Sequence, residues 1–153
     1  MTSELWWADK APWIQVIPTD STVSAVQALP PSGTIYSARM RGREMKDTDG
    51  VFTQFYETLR LPDYFGWNWN ALRDCLKDLG WLEATRYLLT VDNADFILSE
   101  NPEERDIFFR ILSDSVKYWA AKPQYPRDKA PLHVVLLCSP DSYTELKNQV
   151  SRA

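Results

Sequence analysis

Leu61-Pro62-Asp63-Tyr64-Phe65-Gly66-Trp67-Asn68-Trp69-Asn70-Ala71-Leu72-Arg73-Asp74-Cys75-Leu76 joins a turn crowded with aromatics directly to a short amphipathic helix. Pro62 cannot continue the helix before it. Gly66 offers a permissive backbone ahead of the next helix. Asn68 is a good N-cap, so the spacing predicts a helix over about Trp69 to Leu79. Ala71, Leu72, Cys75, Leu76 and Leu79 share its apolar face, while Asn70, Arg73, Asp74, Lys77 and Asp78 share the other. Gly80 ends it. One carboxylate, Asp74, is therefore expected to point outward from a rigid base.

The segments on either side follow an alternating pattern. Thr34 to Met40 is a strand candidate, closed by Arg41-Gly42. Asp47 caps a helix from Thr48 to about Arg60, with Val51, Phe52, Phe55, Tyr56 and Leu59 at core spacing. Arg86 to Val91 and Leu132 to Leu137 are short continuous apolar runs, as strands of a buried parallel sheet are. Between them, Asn101-Pro102-Glu103-Glu104 starts a helix running to about Ala121, with Phe108, Ile111, Leu112, Ser115, Val116 and Trp119 inward. Pro140 to Val150 reads as a terminal helix. Strands alternating with helices predict a small parallel α/β unit with right-handed crossovers.

Residues 1–33 read as an N-terminal extension packed onto a main domain at 34–153. Trp13 to Ile17 alternates like one added strand, and Pro18 ends it. Thr22 to Leu29 suits two helical turns, and Pro30-Pro31-Ser32-Gly33 breaks them. The plainer reading of this segment is a partly ordered arm.

A chain of 153 residues is long enough to bury a core without staples. Seven Trp is a high count, and some of those rings are expected at a surface meant to be covered. The net charge of -4 argues against nucleic acid or an anionic membrane as partner and suits a basic protein. Two distant Cys without a CxxC fit neither a disulfide framework nor a zinc site, and they fit a reducing cytosol. No charged head followed by an apolar run opens the chain, and no apolar run nears the roughly 20 residues that span a membrane. The expected location is the cytoplasm.

The chain shows no catalytic equipment. Its one histidine, His133, lies inside a strand candidate with no carboxylate or nucleophile near it in sequence, and reads as a core or strand-edge residue. Cys75 and Cys138 read as small buried hydrophobes. No nucleotide, hydrolase or zinc-protease motif occurs, so no cofactor or metal is expected. Most outward Asp residues are only solvated. Asp74 differs because Tyr64, Trp67 and Trp69 crowd the helix start, and aromatics beside a fixed charge are typical of interface hot spots. Trp69 and Phe65 themselves read as packing the turn onto the core.

The run Leu61 to Gly66, then Asn68, Ala71-Leu72 and Asp74-Cys75-Leu76, resembles the binding loop and helix of the barstar-type ribonuclease inhibitors, without a gap. More weakly, the likeness extends from the strand at Ile35 through the strand ending at Leu137. It implies a three-stranded parallel sheet layered with helices. Barstar-like proteins are intracellular inhibitors that protect a cell from its own ribonuclease or a related toxin, plugging the active site with an acidic helix and the preceding loop. By this resemblance the family's binding tyrosine falls on Tyr64, its central helix aspartate on Asp74, and an acid of the later helix on Asp114. An outward acid of barstar stands here as Asn70, and a helix tryptophan as Arg73. The implied function is a cytosolic inhibitor or immunity protein that binds a basic ribonuclease or related toxin one to one, without being an enzyme. Tyr64, Trp67, Asn70, Arg73, Asp74 and Asp114 would carry the contact. Two other readings stand beside it. One is a module of the same fold for a non-ribonuclease toxin or regulator; the other is a small enzyme using Asp74 and Asp114 as an acid/base pair.

Overall fold

The computed structural model describes residues 14–18, 35–121 and 132–153. Its centre is a four-stranded, all-parallel sheet of β1 (Ile14–Pro18), β2 (Ile35–Arg41), β3 (Arg86–Asp92) and β4 (Leu132–Cys138), in the order β1-β4-β3-β2. The sheet is thus one strand wider than the three implied by the family likeness. The extra member is the N-terminal strand, paired to β4 from Ile14 opposite Val134 to Pro18 opposite Cys138. The other expectations for residues 1–33, and the loop at 122–131, fall outside the described residues.

Position in the sheet follows sequence pattern. β3 and β4, the continuous apolar runs, take the centre and are buried along nearly their whole length. β2 alternates, burying Ala38 and Met40, and takes an edge. Parallel neighbours need long crossovers. Helices α1 (Thr48–Leu59) and α2 (Trp69–Leu76) lie between β2 and β3, and α3 (Arg105–Ala120) between β3 and β4. Helix α4 (Tyr143–Arg152) follows β4.

Tyr87, Leu89 and Val91 of β3 and Leu132, Val134 and Leu136 of β4 join the helices in one main core. Leu88 and Val135, on the opposite sheet face, form a second small cluster with Ile17 and Leu137. His133 is buried on that second face. Tyr36 OH donates to the Thr58 carbonyl at 2.7 Å, and the Arg41 N–H donates to Gln54 Oε1 at 3.0 Å. Both fasten α1 to the β2 edge, and the second explains why polar Gln54 is buried. Cys75 and Cys138 are free and buried.

Candidate functional site

The outward unit begins where α1 stops. Arg60 takes a left-handed conformation at φ 52, and Leu61 N–H closes back onto the Tyr56 carbonyl at 3.1 Å. The Pro62 carbonyl then accepts from Phe65 N–H at 2.9 Å, forming the turn that the proline announced. Phe65 is buried edge-on against Phe52, with ring centroids 5.8 Å apart.

The left-handed residue ahead of α2 is Trp67, at φ 58, and not Gly66. Gly66 serves a different need: a Cβ there would approach Asn68 Nδ2 at 3.0 Å, where the Asn68 amide donates to the Gly66 carbonyl. A bulky residue in the left-handed region costs about 1–2 kcal/mol. Trp67 is held there by its ring packing, 5.3 Å from Tyr56 and 5.1 Å from Phe65. Its indole N–H also donates to Asp49 Oδ1 at 2.8 Å. Trp67 nevertheless remains 41% exposed, and Tyr64, three residues earlier, is 71% exposed.

Asn68 caps α2 as its sequence position requires, accepting from Ala71 N–H at 2.8 Å. Leu72, Cys75 and Leu76 face the core. The helix ends at Leu76 rather than Leu79, with Lys77 as its C-cap and Leu79 turned left-handed at φ 54. Both ends of α2 are tied to the neighbouring helices. At the start, the Trp69 indole donates to Glu104 Oε1 at 2.8 Å, the same oxygen that accepts from Thr48 Oγ at 2.7 Å. At the end, the Trp119 indole donates to the Leu76 carbonyl at 2.7 Å, satisfying one of the helix's free C-terminal acceptors. Lys77 lies 5.2 Å from the Tyr118 ring centre.

On this frame Asp63, Tyr64, Trp67, Asn70, Asp74 and Asp78 are exposed. Among the described residues Asp74 makes no side-chain hydrogen bond or ion pair. Arg73 is half-buried and donates from Nη1 to Asn70 Oδ1 at 3.3 Å. Helix α2 itself holds one acid and one base, so the negative excess of the surface comes from Asp63 and Asp78 on its flanks. The Tyr64 phenol titrates above its ordinary value, by slight desolvation first and then by the charge of Asp78. Burial pushes the Cys75 thiol up, with Asp78 and Asp74 adding to it.

Five of the six expected site residues thus share one loop-and-helix unit. Asp114 is the sixth. It lies half-buried on α3, one helical turn before Tyr118, and makes no hydrogen bond or ion pair with the other five. The sequence reading missed Asp49, Thr48 and Glu104, whose hydrogen bonds orient Trp67 and Trp69. No periodicity signals them, because their partners are brought near only by the fold. Among the described residues no group of His, Cys, Asp and Glu is arranged to hold a metal. Nor, among them, is any helix long and apolar enough to cross a membrane.

The family model described as Barstar (barnase inhibitor) matches residues 35–136, well over half of the chain. That family consists of inhibitors, not enzymes. No curated protein matches the chain.

Proposed function

Because the chain belongs to the barstar family, we propose that it is a cytoplasmic inhibitor or immunity protein that occludes the active site of a basic ribonuclease. The observation that carries this reading is Asp74: an exposed carboxylate without a partner among the described residues, on a helix tied down at both ends. A ribonuclease holds its substrate's phosphate with cationic groups. A carboxylate placed where that phosphate sits collects charge-assisted hydrogen bonds and excludes RNA. Fixing the helix beforehand lowers the ordering cost of binding. Tyr64 and Trp67 supply broad aromatic contact beside the charge, as hot spots do. Asn70 and Arg73 line the same face, and Asp114 adds a carboxylate from α3. The net charge of -4 favours encounter with a basic enzyme.

The test is titration of a panel of basic ribonucleases, barnase first, with the purified protein while RNA cleavage is followed. Inhibition should reach completion at one to one and weaken as substrate is raised. The association rate should fall with added salt. Tyr64→Ala should weaken binding while keeping that salt dependence. Capture of a basic protein with no nuclease activity, and inhibition of none of the panel, would favour a non-ribonuclease partner instead.

A further inference from the structure

The exposed face of α2 presents a cation at its centre, directly beside Asp74. The guanidinium of Arg73 is held to the helix only by the neutral amide of Asn70, through a 3.3 Å bond from Nη1. Its Nε is buried with no acceptor among the described residues. No carboxylate neutralises it there, since the ion pair among the described residues joins Arg39 and Asp92. The next cation along, Lys77, is instead drawn over the Tyr118 ring. Nε is shut off from solvent and out of a partner's reach, so Arg73 offers outward only the Nη end of its fork, where one bond to a neutral amide is made. Parallel N–H groups at that end suit a carboxylate bidentately.

This placement is awkward if the partner's cleft is purely cationic, because like charges brought together across an interface oppose binding. It fits if the cleft also holds an acid. A ribonuclease working by acid/base chemistry sets a general base next to its phosphate-binding cations, and that base is commonly a carboxylate or an imidazole. Successive residues of a helix point about 100° apart, so Arg73 and Asp74 address two adjacent but different groups. We propose that Arg73 is a specificity residue that pairs with a carboxylate general base of the cognate ribonuclease while Asp74 occupies its phosphate site. The proposal rests on the occlusion reading and narrows it to ribonucleases whose base is Asp or Glu.

The probes are a basic ribonuclease with a carboxylate base, the same enzyme with that base changed to its amide, and a basic ribonuclease with a histidine base. Dissociation constants are measured for wild type, Arg73→Gln, Arg73→Lys, Arg73→Glu and Asp74→Ala, each checked for an unchanged urea midpoint. Against the carboxylate-base enzyme, Arg73→Gln should weaken binding at least about tenfold and Arg73→Glu about a hundredfold, with Arg73→Lys restoring part of the loss. Against the amide variant, wild type and Arg73→Gln should bind alike. The histidine-base enzyme should bind more weakly than the carboxylate-base one. If Asp74→Ala loses binding but Arg73→Gln does not, this inference fails and occlusion stands. An equal loss for Arg73→Gln on the amide variant, or tighter binding to the histidine-base enzyme, also overturns it. If Asp74→Ala binds as wild type does, or no ribonuclease is bound, occlusion fails and takes this inference with it.

Discussion

Glu104→Ala removes one oxygen that accepts from two donors, the Trp69 indole at 2.8 Å and Thr48 Oγ at 2.7 Å. A hydrogen bond to a charged group contributes about 1.5–3 kcal/mol. All three side chains are only half-buried, so water replaces part of each bond and brings it below that range, to about 1 kcal/mol. The pair together is then worth about 2 kcal/mol. Trp69→Phe keeps an aromatic ring beside Phe52, whose centroid is 4.9 Å from that of the indole, and forfeits one bond, about 1 kcal/mol, together with the packing of the larger ring. Combining the two changes should cost less than their sum by about 1 kcal/mol, because the bond can be lost only once. Urea denaturation followed by far-ultraviolet circular dichroism measures all four corners of this cycle. Losses that simply add, or a Glu104→Ala loss within about 0.5 kcal/mol of zero, would show that this carboxylate does not hold the start of α2.

The two faces of α2 should separate in the same assay. Leu76 is fully buried, so Leu76→Ala should cost about 2–5 kcal/mol, whereas Asp74→Ala should stay within about 0.5 kcal/mol of wild type. A loss above about 2 kcal/mol for Asp74→Ala would make that residue structural. Thiol counting after denaturation without reductant should find both Cys75 and Cys138 reduced; a disulfide between them would contradict their free, buried placement. Stability should also fall as pH rises through the ordinary thiol range. Burial, with smaller contributions from nearby Asp residues, holds both thiols above their ordinary value. The unfolded chain therefore releases these protons first, and the contribution is intact below the ordinary thiol pKa and lost on the way up to the folded values. The double variant Cys75→Ala, Cys138→Ala should flatten that decline, and an unchanged slope would contradict it.

The parts of the fold legible in the sequence are those set by local pattern. β3 and β4 read as continuous apolar runs because central strands of a parallel sheet are buried on both faces. Asn68 and Asp47 marked their helix starts because capping is a contact within one turn. What escaped depends on distant partners. β1 was visible as an alternating segment, yet nothing local says that Ile14 lies opposite Val134. The early end of α2 is sealed by the Trp119 indole from α3, so Gly80 looked like the terminator. The left-handed turn fell on Trp67 because Asp49 and a set of aromatic rings hold it, a tertiary effect that outweighs glycine's local advantage. At the candidate site, Tyr64 and Asp74 stood out because loop and helix are contiguous. The relation of Asp114 to them is a matter of how two helices pack, and sequence spacing says nothing about it.

The most direct measurement is inhibition of a basic ribonuclease, barnase or one encoded beside this chain, by wild type and by Asp74→Ala in parallel titrations. Loss of a desolvated charge contact costs about 2 kcal/mol or more, so Asp74→Ala should raise the dissociation constant at least about tenfold while its urea midpoint stays put. Equal inhibition by the two proteins, or inhibition by neither, would contradict occlusion by the Asp74 face of α2.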